Sequence, residues 1–370
     1  MSKLKAFLNK KNIIFSGKRY GIDALGAMAQ GLFCTLLVGT ILNTVGQQFQ
    51  IDFLNAIIVT IKSATGESVA TYTIGGLASA MVGPGIAIAI GFALSSPPLV
   101  MFSLIPVGFA ANAMGGAGGP LAVYFVAIIA SECGKLVSKE TKIDILVTPI
   151  TTILVGIGIS ALIAAPIGAA ASAVGDAVKW ATLQQPFLMG ILVSVIIGIA
   201  LTLPISSAAI CAALTLTGLA GGAAVAGCCA QMVGFAVMSF KENRWGGIVA
   251  QGLGTSMLQM PNIVKNPKIW LPPILTSAIT GPLATCLFKL EMNGSAVSSG
   301  MGTCGLVGQI GIYTGWVNDI TNGSKVAITT MDWVGLALIC FILPALLSIV
   351  FCEVLRKWEW IKEDDLKLDL

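Results

Sequence analysis

The polar side chains that interrupt the apolar stretches of this chain are mostly amides and hydroxyls. They include Gln30, Asn43, Asn112, Ser206, Ser207, Gln231, Gln251, Ser256, Gln259, Asn262 and Gln309. Their chemistry is hydrogen bonding without charge, as donors and acceptors. They crowd most densely between 251 and 266, where Gln251, Gln259, Asn262 and Asn266 follow one another. Each either contacts a polar solute or closes a hydrogen bond between helices. Ionisable groups stand instead at the margins of apolar stretches, as Glu67, Glu132, Asp176, Lys289, Glu291 and Asp319 do. There a charge is expected to snorkel or face water. Histidine is absent, which removes the usual proton shuttle and any phosphohistidine step within the chain. No GxxxxGK[ST] loop is present, so the chain does not power itself with ATP. The nine cysteines form no CxxC pair and read as small buried hydrophobes, not as a disulfide framework or metal site. No catalytic residue, metal ligand or cofactor is expected.

The elements that must position these groups are membrane helices. Residues 68–131 and 180–240 contain no Asp, Glu, Lys or Arg. About 20 apolar residues of helix cross a bilayer core, so each run must cross, turn and return. Charged residues make up 10% of the chain, against about 25% in soluble domains. The expected fold is an all-α integral membrane protein with about ten transmembrane helices, some broken or re-entrant. Residues 1–23 form a basic N-terminal segment, 24–354 a single polytopic membrane domain and 355–370 a charged tail. Lys3, Lys5, Lys10, Lys11, Lys18 and Arg19 precede the first span, which places the N-terminus in the cytoplasm. Arg356, Lys357, Lys362 and Lys367 place the C-terminus there too, as a solvated tail. The net charge of +4 comes from these flanks and is no nucleic-acid signal.

Glycine and proline mark where helices break. The run GGAGGP at 115–120 reads as a hinge or re-entrant turn, and segments 206–217 and 246–260 are too short to cross alone. Discontinuous helices of this kind point to a transporter's binding site.

Three stretches carry a resemblance. Residues 142–156, KIDILVTPITTILVG, followed by Ala165, Pro166 and Ile167, resemble the proline-centred strip of fructose-type phosphotransferase system (PTS) permeases. LPISSAA at 203–209 lies where that family carries GGPVNKAA, and GLGTSMLQMPNIVKNP at 252–267 lies where it carries a GITEGAIPFAA-type motif. The chain is similar to membrane component IIC, closest to the divergent branch with the regulator-like PfoR proteins. The resemblance implies an elevator-type homodimer in the bacterial plasma membrane, moving a small polar, sugar-like solute. It implies IIA and IIB proteins on separate chains. The family's glutamate, a sugar-hydroxyl ligand and candidate acid/base, falls on Met257; its Asn-Lys pair falls on Ser206 and Ser207. The expected solute contacts are therefore Ser206, Ser207, Ser256, Gln259 and Asn262, with Asn112 from the glycine-rich hinge. Alternatives are a non-phosphorylating transporter of a non-sugar solute, or a membrane ligand sensor.

Overall fold

A computed structural model describes residues 3–62 and 68–368 of the chain; Glu67 lies outside them. Helices dominate. Six are long and apolar enough to cross a membrane, or up to seven with the bent pair Ile74–Ala80 and Val82–Ala93 counted as one span. The protein is an all-α membrane protein. Among the described residues, Val59–Lys62 and Ser68–Tyr72 form an antiparallel strand pair, Val59 opposite Tyr72. Val59, Thr60, Ile61, Val69 and Thr71 are β-branched, side chains that suit a pleat. The chain divides into two compact units, 1–169 and 170–370. The helix Asp144–Thr182 runs from the one into the other.

In the first unit, glycines let neighbouring helices touch backbone to backbone. A Cβ on Gly31 would lie 2.6 Å from the Gly85 carbonyl, and one on Gly39 would lie 2.5 Å from that of Gly75. These contacts set Arg19–Gln48 antiparallel to the bent pair. The 40-residue apolar stretch Pro98–Val137 is a hairpin. Gly116 reverses the chain at φ 52°, a left-handed value that glycine takes without strain. A Cβ on Gly115 would then meet Ala122, and one on Gly134 would meet Val100. Helices Pro98–Gly115 and Gly119–Val137 thus pack side by side. Each is about 27 Å long or more at 1.5 Å per residue, enough for its own crossing. The GGAGGP run is the turn between them.

In the second unit, helix Gly218–Met238 is the centre of packing and is buried along nearly its whole length. Small residues along it admit close neighbours. A Cβ on Gly227 would lie 1.9 Å from the Ser194 carbonyl of helix Pro186–Thr202, and one on Gly222 would lie 1.7 Å from the Leu290 carbonyl. Around it pack Leu271–Pro282, Val307–Thr321 and Thr330–Lys357, over a core that includes Val225, Cys229, Met292, Ile312 and Trp316. The segments too short to cross are broken as their composition suggests. Ser207–Ala213 is a seven-residue helix. Phe240–Val249 kinks at Arg244, where φ is 52°, and short π, 3₁₀ and α pieces follow up to Trp270. Irregular backbone at this depth needs internal partners, and Gly218 and Met292 supply one case by exchanging two backbone hydrogen bonds of 3.0 Å.

Candidate functional site

Two buried polar groups in the second unit meet at one short element, the 3₁₀ helix Ser256–Gln259. Extended Thr255 precedes it and caps it, its hydroxyl accepting from the Met257 amide at 3.2 Å. Ser256, Met257 and Gln259 are all buried.

The first group surrounds Ser256. Its hydroxyl pairs at 2.8 Å with that of Thr202, at the end of helix Pro186–Thr202. The Thr202 hydroxyl also lies 3.2 Å from Oε1 of Gln231. The indole N–H of Trp270 donates to the same Oε1 at 2.9 Å. An indole nitrogen only donates, so Trp270 fixes which end of the Gln231 amide is oxygen. The other end, Nε2, is buried and, among the described residues, has no hydrogen-bond partner. Nearby in sequence to Gln231, Cys229 accepts from Nε2 of Gln309 at 3.2 Å, and Oε1 of Gln309 is likewise buried without a partner. Leaving a buried donor unpaired costs about 1–3 kcal/mol, so such groups are uncommon and call for an explanation.

The second group is a ladder of amides. Gln251 donates to Ser239 at 2.8 Å and to the Gly247 carbonyl at 3.1 Å. Gln259 donates to Oε1 of Gln251 at 2.8 Å, and Asn262 to Oε1 of Gln259 at 2.9 Å. The remaining N–H groups of the ladder face the chain's own C-terminal segment: Gln259 donates to the Leu366 carbonyl at 2.9 Å and Asn262 to that of Lys367 at 2.8 Å.

The sequence-predicted residues therefore separate. Ser256, Gln259 and Asn262 share the segment 256–262. Ser206 caps helix Ser207–Ala213 by accepting from Ala209 N at 3.2 Å. Ser207 donates to the Gly300 carbonyl at 2.8 Å, tying that half-helix to the turn after Ala296–Ser299. Asn112 belongs to the first unit, half-buried, where its Oδ1 and Cβ press on the glycine surfaces of Gly119 and Gly83. Thr202 and Trp270 escaped the sequence reading. Thr202 looks like one more small residue in an apolar helix, and Trp270 like an interfacial aromatic; only the fold aims both at Gln231.

The charged candidates separate too. Asp176 and Lys289 are exposed, as margin residues should be. Glu132 is not: it is 9% exposed and pairs at 2.8 Å with Lys135, which is 1% exposed.

The family model described as phosphotransferase system, EIIC, matches residues 22–368. The chain belongs to the PTS EIIC family. No curated protein and no solved structure matches it. As an EIIC protein it is a multi-pass membrane permease component of the phosphotransferase system. Met257 is buried at 2% exposure and has no proton to exchange.

Proposed function

We propose that this EIIC protein carries a neutral, polyhydroxylated, sugar-like solute, and that the Ser256–Thr202–Gln231 group contacts it. The supporting observation is the buried, unpartnered Gln231 amide beside two paired hydroxyls. A sugar hydroxyl both donates and accepts, so it accepts from Gln231 Nε2 and exchanges bonds with Ser256. No charged side chain takes part in this group's hydrogen bonds. A neutral solute suits that chemistry, because an ion here would lack a counter-charge. Ser206 and Ser207 border the same reading through the half-helix they begin. Gln259 and Asn262 act from behind, holding Ser256 in place. In this reading the protein works as a homodimer with both termini cytoplasmic, and separate IIA and IIB proteins bring the phosphate. A thermal-shift screen of purified protein against sugars, polyols, amino acids and vitamins tests the solute class. Stabilisation by sugars or polyols is expected; stabilisation by amino acids alone contradicts it.

Met257 favours a second reading, transport without phosphorylation. A positioned base contributes about 10²–10⁴-fold to proton transfer, and methionine supplies none. Uptake of the labelled solute into proteoliposomes, with and without phosphorylated IIB, separates the two. Accumulation of unmodified solute without IIB supports the second reading; strict dependence on IIB, with phosphorylated product inside, excludes it.

A further inference from the structure

The helix Thr330–Lys357 ends at Trp358, yet the residues after it do not leave the protein as a solvated tail. Glu359, at φ 57°, and Asp364, at φ 66°, turn the chain back, and Ile361 and Leu366 are buried at 2% and 0% exposure. Four amide side chains receive the returning segment. Asn243 and Gln259 donate to the Leu366 carbonyl at 2.7 and 2.9 Å. Asn262 donates to the Lys367 carbonyl at 2.8 Å. Asn266 donates to the Trp360 carbonyl at 2.9 Å and to the Asp365 carboxylate at 2.8 Å. In return the Leu368 amide donates to Oδ1 of Asn243 at 2.8 Å. The Lys268 ammonium lies 4.8 Å from the centre of the Trp360 ring.

We propose that Asn243, Gln259, Asn262 and Asn266 form a peptide-binding clasp whose ligand is the chain's own segment 358–368, and that its occupancy sets the position of Ser256. Three features carry this. The contacts go mainly to main-chain atoms, as in recognition of an extended peptide, with Leu366 and Ile361 as apolar anchors. Among the described residues no ion pair joins segment 358–368 to the rest of the protein, so the strap can detach without stranding a buried charge. Gln259 closes the four-residue helix that Ser256 opens, so the side chain that grips the strap and the hydroxyl that meets Thr202 move together. The strap is therefore a positioning element for the solute group. Its effect on solute rests on the function proposed above; its effect on the loop does not.

Hydrogen exchange, which needs no solute, tests the clasp. A variant truncated after Trp358 is compared with the full chain, and Leu366→Asp serves as a milder lesion. Exchange at amides 255–266 is expected to rise at least ten-fold in both, while helix Gly218–Met238 keeps its protection. A synthetic peptide of residues 358–370 added to the truncated protein restores protection, and fails to do so when Gln259→Leu and Asn262→Leu are also present. Unchanged exchange at 255–266 overturns the proposal. So does an equal loss across 218–238, which would make the segment an undetachable part of the core.

Discussion

A buried polar cluster of the first unit and the amide ladder of the second are built from opposite chemistry, although the second unit also holds an ion pair of Arg356 with Glu242 at 2.7 Å beside the ladder. In the first unit the cluster is ionic. Lys135 pairs with Glu132 at 2.8 Å and donates to the Leu94 and Asn12 carbonyls at 3.1 and 3.2 Å. Arg19 reaches the same Leu94 carbonyl and Oδ1 of Asn12. The Leu94 carbonyl is free because its helix ends there, before Ser95 at φ 52°. In the second unit the cluster is neutral, a ladder of amides. Removing one half of a buried ion pair leaves a charge with nowhere to go, whereas opening one neutral bond costs far less. The ionic cluster is thus suited to a fixed anchor that ties the N-terminal segment to the helix ends. The neutral one is suited to parts that must part and rejoin.

The largest expected effect comes from breaking the anchor. Glu132→Ala leaves the Lys135 ammonium buried and unpaired and should destabilise the protein by about 3–5 kcal/mol, seen as lowered thermal stability in detergent. The double variant Glu132→Ala with Lys135→Met should recover most of that loss. If the single variant costs no more than a neutral hydrogen bond, the contrast between the clusters fails.

Gln259→Leu comes next. It strips the Gln251 Oε1 and the Leu366 carbonyl of one donor each and Asn262 of one of its two acceptors, and about 1–3 kcal/mol of destabilisation is expected. Urea unfolding measures it. A loss equal to that of Glu132→Ala would erase the distinction.

The gap between these two variants also shows what was readable from residues alone. Membrane class, helical content and the turn at GGAGGP were legible, because long uncharged runs and clustered glycines have few physical solutions. The breaks near 206–217 and 246–260 were legible for the same reason. The partners of the amides were not. Gln259 and Asn262 stood out as polar residues in an apolar setting, but besides each other and Gln251 their partners lie more than a hundred residues away, at Leu366 and Lys367. The charged tail read as solvated because its many acids and lysines hide the two apolar anchors, Ile361 and Leu366. Glu132 read as a margin residue: Lys135 stands at i+3 from it in the sequence, but nothing there shows that the pair is buried or that Arg19 reaches the same Leu94 carbonyl as Lys135.

The smallest effect concerns the exposed edge of the anchor. A hydrogen bond from Lys11 holds the Glu140 carboxyl below the usual glutamate range; the two are 2.5 Å apart, and Lys11 also donates to the Ser138 carbonyl. A carboxyl depressed in the folded state stabilises it above the unfolded-state value and loses that contribution as pH falls through the folded value. Glu140→Gln should therefore flatten the stability profile only on the acid side of the ordinary glutamate range, by a small amount, since exposed pairs contribute little. A change at neutral pH matching that of Gln259→Leu would mean that the edge is as strongly held as the interior.

The most direct test of the account is equilibrium binding of the solute found by screening to the wild type and to Gln231→Leu and Ser256→Ala. Losing a buried hydrogen bond to the solute should weaken binding by about 1–3 kcal/mol, roughly five-fold to 150-fold, in each variant. Protection of helix Gly218–Met238 should be retained. Wild-type affinity in both variants would contradict the placement of the solute at this group.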